Sequence, residues 1–374
     1  MLIGEFKSGR IITTLTSGDV TGLRWSDELN AAGSITGVTI PEPVVRKYHL
    51  REHTHGWRNF LAVEVDGRIV QAGPVTSRTW DWESGTLTLG AAGLWAYLDR
   101  VKVRISPLAA PIQRNSLTIA GKSLGGIARG LVAQLLTFYY TQLPIVLPPD
   151  EAGDHEETFP MWKLLTYGEQ IRQITQRAVD APDVRFVPRR KAGDPRFLEW
   201  VMQVGTDLTP QLFQAGPDWV FDTTAPKSPV LGISTDEDPT EMAQRVYLTG
   251  YGQEEDILMV MREDNSLLER GWPRTDADDA HHTVERLNTL AGHAEALLAR
   301  RARPIEVWRL TVRARRDDGR PGIGWEVMAG DYCQVTTKGD AWIPDGTRTM
   351  RVKTVTGDLS DNLTLEMYPM AAQL

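Results

Sequence analysis

Phe60-Leu61-Ala62-Val63-Glu64-Val65-Asp66-Gly67-Arg68-Ile69-Val70 is the stretch whose reading decides the fold. Val63, Glu64 and Val65 alternate apolar and polar, the period of a strand with one buried face. Asp66-Gly67 supplies two residues that tolerate positive φ, as a two-residue hairpin turn requires, and Arg68-Ile69-Val70 leads off the return strand. Outward from this hairpin the pattern recurs. Ile11 to Thr16 is β-branched and closes on Ser17-Gly18, and Thr86-Leu87-Thr88-Leu89 follows a second tip at Glu83-Ser84-Gly85. Ala92 to Arg100 suits a short helix or a last strand. Strands return near the C-terminus over Val307 to Ala314, Trp325 to Met328, Asp331 to Thr336, Thr347 to Val355 and Asn362 to Met367.

The middle is mixed. Leu124 to Thr137 reads as a helix with Ser123 as N-cap, and Trp162 to Ala178 as a second helix. Val184 to Val187 and Phe197 to Val204 form a hairpin around the basic turn Pro188 to Gly193. Residues 206–232, rich in Pro, Gly and Thr, read as connection. Val284, Leu287, Ala291, Ala294 and Leu298 recur at helical spacing, with Asp278 and Asp279 near the start, Arg300, Arg301 and Arg303 at the end, and Pro304 as the stop. The fold class is therefore α+β and β-dominated. No strand-helix-strand series suggests a doubly wound parallel sheet. One echo links the ends: Ser84-Gly85-Thr86-Leu87-Thr88-Leu89 parallels Ser360-Asp361-Asn362-Leu363-Thr364-Leu365, which permits two versions of one module.

The chain has 374 residues, enough for two to four domains. Its twelve Trp favour sheet, and its net charge of −8 argues against a protein that grips nucleic acid, since phosphate neutralisation needs clustered Lys and Arg. Cys333 is the one cysteine, so no internal disulfide forms and a reducing cytosol suits folding. The N-terminus lacks an apolar signal core, and the uncharged stretch Gly130 to Pro149 suits a helix, a turn and a short strand better than a membrane span. Of 41 basic residues 32 are Arg, a bias expected of a GC-rich genome.

Four groups of residues tempt a catalytic or metal reading. Gly121-Lys122-Ser123-Leu124-Gly125 fits a nucleophile elbow, but an esterase needs an acid and a His on a parallel α/β scaffold; Ser123 as helix cap is the expectation. His49, His53 and His55 lie within seven residues, yet no acidic or Cys partner has metal spacing, so a polar loop beside Trp57 is expected. His281, His282 and His293 read as surface residues, the last two three turns apart. The acidic run Asp150-Glu151-Ala152-Gly153-Asp154-His155-Glu156-Glu157 lacks a calcium loop's ligand alternation and reads as a solvated loop. No catalytic, cofactor or metal residue is assigned, and no enzyme activity is expected. Trp80 and Trp82 share a strand face, which suits core or interface, or sugar stacking in a host-carbohydrate-binding protein.

Beyond these readings, Trp25-Ser26-Asp27-Glu28-Leu29-Asn30 with Gly33-Ser34 and Ile40-Pro41 resembles the opening of hub or minor tail proteins of long-tailed phages. Asp66 to Val75 is similar to that family's central hairpin, and Thr86 to Arg100, Met350 to Val355 and Asp358 to Leu365 resemble its two barrel edges. The resemblance implies a fold related to the baseplate hub of contractile-tailed phages. It implies two tube-like β-barrel modules, at 1–107 and 306–374, separated by a mixed α/β domain at 108–205 and a connecting region with an amphipathic helix at 206–305. It also implies a homotrimer whose six barrels dock on a six-fold tube. Tube or tape-measure proteins would lie above and other minor tail or receptor-binding proteins below. Genome DNA would pass an acidic, repulsive channel without specific binding, three copies carrying 3 × −8 = −24 charges. The implied location is the virion tail tip, assembled in the bacterial host cytoplasm. A Ser123-dependent hydrolase is the remaining alternative. No further domain is expected after Leu374.

Overall fold

The computed structural model describes residues 1–105, 111–177, 181–281, 284, 286–316 and 322–370. The first block holds strands β1 (Leu2–Glu5), β2 (Ile11–Thr14), β3 (Gly22–Glu28), β4 (Ser34–Pro41), β5 (Asn59–Val65), β6 (Arg68–Asp81) and β7 (Thr86–Ala92). Short helices α1 (Glu42–Lys47), α2 (Leu50–His53) and α3 (Trp95–Leu98) intervene or follow. The deciding turn forms as expected: Asp66 and Gly67 take φ of 48° and 81°, which matches the right-handed twist of the flanking strands.

The middle holds β8 (Ser116–Lys122), α4 (Leu124–Leu136), β9 (Ile145–Val146), β10 (Ala152–Pro160), α5 (Tyr167–Thr175), β11 (Val184–Arg190) and β12 (Leu198–Val204). Leu131, Leu135, Ile171 and Ile174 bury the helices' inner faces in one core. The hairpin β11–β12 sends Trp200 against Phe6 and Phe60, with ring centroids 5.5 and 6.1 Å away, and its indole N–H donates to the Ala72 carbonyl at 3.2 Å. Two expectations are corrected. The helix expected from Trp162 begins at Tyr167, because Thr166 and Glu169 form a capping box and Leu164 turns left-handed just before it. The acidic run is a strand rather than a loop: Glu156, Glu157 and Thr158 pair with Ala120, Ile119 and Thr118 of β8.

The chain continues through β13 (Trp219–Asp222), β14 (Val230–Asp238), β15 (Arg245–Thr249), β16 (Met259–Glu263), β17 (Asp276–Ala280), α6 (Leu287–Arg301), β18 (Ile305–Arg313), β19 (Tyr332–Thr337), β20 (Gly346–Asp358) and β21 (Asn362–Pro369). Residues 206–232, expected as connection, include β13, which lies parallel to β19. Trp325 to Met328, expected as a strand, is irregular; Met328 N–H turns instead to the Asp331 carboxylate at 3.0 Å.

Two compact units result. Residues 1–176, 181–233 and 309–374 make one, and residues 234–308 with Arg177 belong to the other. In the second unit β16, β15 and β17 form a sheet, and α6 lays Leu290, Ala294 and Leu297 on Val246, Leu248 and Val260. Asp278 and Asp279, expected beside a helix start, lie on β17 opposite Tyr247 and Leu248... their strand is held to β15 at its first residue by the Arg245–Asp276 ion pair at 2.7 Å.

In the large sheet the order is β14-β18-β21-β20-β3-β4-β7-β6-β5-β1-β2, with β13 and β19 branching from β20. Two β-barrel modules are expected from the sequence, one at each end of the chain, and the structure is β-dominated with several sheets. The terminal blocks share one sheet, joined where β3 pairs antiparallel with β20, and among the described residues no sheet closes on itself.

Candidate assembly site

The two long hairpins match position by position. In the first, Trp80↔Leu87, Thr79↔Thr88, Arg78↔Leu89 and Ser77↔Gly90 pair, and the register then shifts before Val75↔Ala91. In the second, Gly357↔Leu363, Thr356↔Thr364, Val355↔Leu365 and Thr354↔Glu366 pair, and the register shifts at the same place before Val352↔Met367. Each shift leaves one extra residue on the longer strand, Thr76 and Lys353, as a β-bulge that bends and twists it. The strand order repeats as well: β4-β7-β6-β5 in the first block and β18-β21-β20-β19 in the second. So does the approach to the hairpin tip, where Glu42 N–H donates to Gly85 O and Ala314 N–H to Asp361 O, both at 2.8 Å.

The turn chemistry is shared. Asp81 accepts from the Ser84 hydroxyl at 2.7 Å, and Asp358 accepts from Ser360 N–H at 2.7 Å. Hydrogen bonding from Ser84 and from Ser360 holds the two carboxyls below the ordinary Asp range, so both turns stay anionic.

Pairing fixes the two faces. Leu87, Leu89, Leu363, Leu365 and Met367 are buried on one. Thr79, Thr88, Thr356 and Thr364 lie on the other, exposed or half-exposed, with Ser26 opposite Thr356 and its hydroxyl 3.0 Å from that of Ser34. That face sets these small hydroxyls beside the charged side chains of Arg24, Glu28, Asp358 and Glu366.

The two modules differ at one edge. The outer half of β20 is covered by β3, from Thr354↔Glu28 to Asp358↔Arg24. The outer half of β6, Thr76–Asp81, is exposed throughout and carries no strand on that edge among the described residues. Trp80 occupies the position of Gly357 and is 44% exposed; Trp82 at the tip is 84% exposed. The junction on the covered side is tied by charge. Asp27 accepts from Ala329 N–H at 3.2 Å, and burial pushes its carboxyl up against the opposing pull of Arg185 and Arg68.

The residues singled out from the sequence do not converge on chemistry. Ser123 is buried; its hydroxyl donates to Glu151 at 2.6 Å and accepts from Gly126 N–H at 2.8 Å, so its proton is committed to a carboxylate and not an imidazole. His49 sits left-handed between α1 and α2, and His53 ends α2, so the three histidines share no strand face. His281 and His293, expected as independent surface residues, stack at 4.7 Å, and burial and then His281 lower the pKa of His293. His282 lies outside the described residues. Among the described residues no three His, Cys, Asp or Glu are grouped to hold a metal, and no helix is long and apolar enough to cross a membrane. Sequence reasoning found the return strands of the two hairpins through their shared letters. It missed the matching bulges, because Thr76 and Lys353 carry no common signal.

Solved tail proteins share this fold. The tail protein from Neisseria meningitidis MC58 shares it at 14% identity, over 99% of this chain and 96% of that one, with a TM-score of 0.55. The 43 kDa tail protein of prophage MuSo2 from Shewanella oneidensis shares it at 14% identity, over 98% and 97%, with a TM-score of 0.58. At such identity the likeness is one of fold. No protein-family model matches the sequence, and no curated protein matches it.

Proposed function

We propose that the chain is a structural subunit of a bacteriophage tail tip, a hub whose three copies form a ring that caps the tail tube and links it to distal tail proteins. The observation that carries this reading is the duplicated module with its matching bulge. Two similar surfaces per chain let a three-fold ring meet a six-fold tube without mismatch. The solved structures of like fold are tail proteins, which supports a place in the virion. The four-part organisation, with modules at 1–107 and 306–374, belongs to the same proposal, and barrel closure is then a property of the ring rather than of one chain.

The hydroxyl face suits a channel lining. Thr79, Thr88, Thr356 and Thr364 offer neither the cations that hold phosphate nor apolar surface that stacks on bases. The net charge of −8 adds long-range repulsion, so DNA would slide past. No catalytic role is proposed for Ser123, whose hydroxyl is engaged on both sides. The test is the copy number and symmetry of this protein in assembled tails imaged by electron cryomicroscopy. Three copies on the axis with superimposable modules support the proposal; six copies or a peripheral position overturn it.

A further inference from the structure

We infer that the sheet β16-β15-β17, in the unit of residues 234–308, uses the face turned away from α6 as a docking surface for a basic segment of another polypeptide, one that also carries apolar side chains. This holds whatever the number of copies and whatever the place of the chain in a tail.

The charge of the chain is unevenly placed. Residues 234–308 hold eight Arg, no Lys and sixteen Asp or Glu, a net of −8. The remainder holds 33 basic and 33 acidic residues (41 − 8 and 49 − 16) and is neutral. The whole net charge of the protein therefore lies in this one unit. A field of one sign draws a partner of the opposite sign, and it repels nucleic acid and further copies of itself.

Strand alternation divides the side chains between two faces. Val246, Leu248 and Val260 are buried with Leu290, Ala294 and Leu297 of α6, and Arg262 reaches Glu295 of that helix at 3.1 Å. The alternate residues lie on the other face, in three rows fixed by the pairing: Glu263-Arg245-Asp276, Met261-Tyr247-Asp278 and Met259-Thr249-Ala280. The first row is satisfied from within, because Arg245 pairs with Asp276 at 2.7 Å and Arg274 with Glu263 at 2.8 Å. The other two rows are open. Met261 and Met259 are 44% and 54% exposed beside Tyr247, which makes a contiguous apolar strip. Methionine is unbranched and polarizable, so such a strip moulds itself to a partner. Asp278, at the end of the strip, forms no ion pair among the described residues. Beyond Met259 the connection from β15 to β16 exposes Glu254, Glu255 and Asp256, with Tyr251 60% exposed among them. Carboxylates around Met and Tyr suit Lys and Arg, whose stems lie on apolar surface while their heads meet charge.

The test uses the full-length chain and a short fluorescein-labelled peptide built of Lys, Leu and Ser, followed by fluorescence anisotropy at low salt. Two companion peptides replace every Lys by Glu or every Leu by Ser. The expected result is binding of the first peptide and of neither companion. Met259→Ser with Met261→Ser, and separately Asp278→Lys, should each weaken that binding by about tenfold or more. Glu83→Lys, which changes the net charge equally in the other unit, should leave it unchanged. No binding of the first peptide overturns the inference. Equal binding of the Leu-free peptide, or equal weakening by Glu83→Lys, means diffuse attraction and overturns it as well. So does binding of a DNA duplex, or self-association in light scattering, that the methionine substitutions abolish. Should Asp278→Lys melt early, the isosteric Asp278→Asn decides: weaker binding supports the docking surface, and unchanged binding overturns it.

Discussion

Trp25 stands directly across from Gly357 where β3 meets β20, and a Cβ at position 357 would sit 2.6 Å from the indole. The glycine leaves room for the aromatic ring. Gly357→Ala must displace Trp25, itself 3% exposed in the core, and should cost about 1–3 kcal/mol as an overpacked site does. Denaturant unfolding of the two proteins measures it. Equal midpoints would show that the junction yields easily.

Ser123 makes a second case. Ser123→Ala removes the hydroxyl that accepts from Gly126 N–H at the start of α4 and should lower stability by about 0.5–2 kcal/mol. A fluorophosphonate probe should label neither the wild type nor the variant. Labelling that the substitution abolishes would make Ser123 a nucleophile.

Acid sensitivity follows from Glu64. Arg190 grips its carboxylate through two bonds of 2.7 and 2.8 Å, and this hydrogen bonding, more than the opposing burial, lowers the carboxyl below its ordinary 4.5. A depressed carboxyl stabilises the fold above its unfolded pKa and loses that contribution as pH falls through the folded value. Arg190→Gln should therefore be less stable than wild type at pH 7, with the gap closing below pH 4.5 as Glu64 protonates in both. A gap that persists in strong acid would assign the loss to packing of the Arg190 stem.

Cys333 reports on the second module. It lies buried on β19, paired with Met350 of β20, its sulfur 3.6 Å from Met350 O, and burial pushes its thiol up. Iodoacetamide should leave it unmodified in the native protein at pH 8 and alkylate it in denaturant. Rapid native alkylation would mean that this hairpin opens readily.

Much of the fold is readable from local chemistry. Asp66-Gly67 names its own turn, since few residue pairs accept φ of 48° and 81°. Ser123 and Pro304 mark helix limits through a cap and a missing N–H. What resists reading is set by partners distant in sequence. Asp276 to Ala280 has a poor strand composition and becomes β17 because β15 pairs with it and Arg245 neutralises Asp276. The acidic residues of β10 likewise owe their extension to β8. The assembly site lies further out of reach, because a bare edge is defined by the strand that is not beside it.

The repeat also carries a history. In the first module β3 turns into β4 through residues 29–33, whereas in the second the chain leaves β14 and re-enters at β18 only after residues 239–304. A duplicated gene segment that later accepted foreign sequence into one hairpin bend would leave this trace. Bends between strands tolerate such grafts because few backbone bonds cross them. Evolution of this lineage could thus add new parts at one bend while the duplicated strands kept their register.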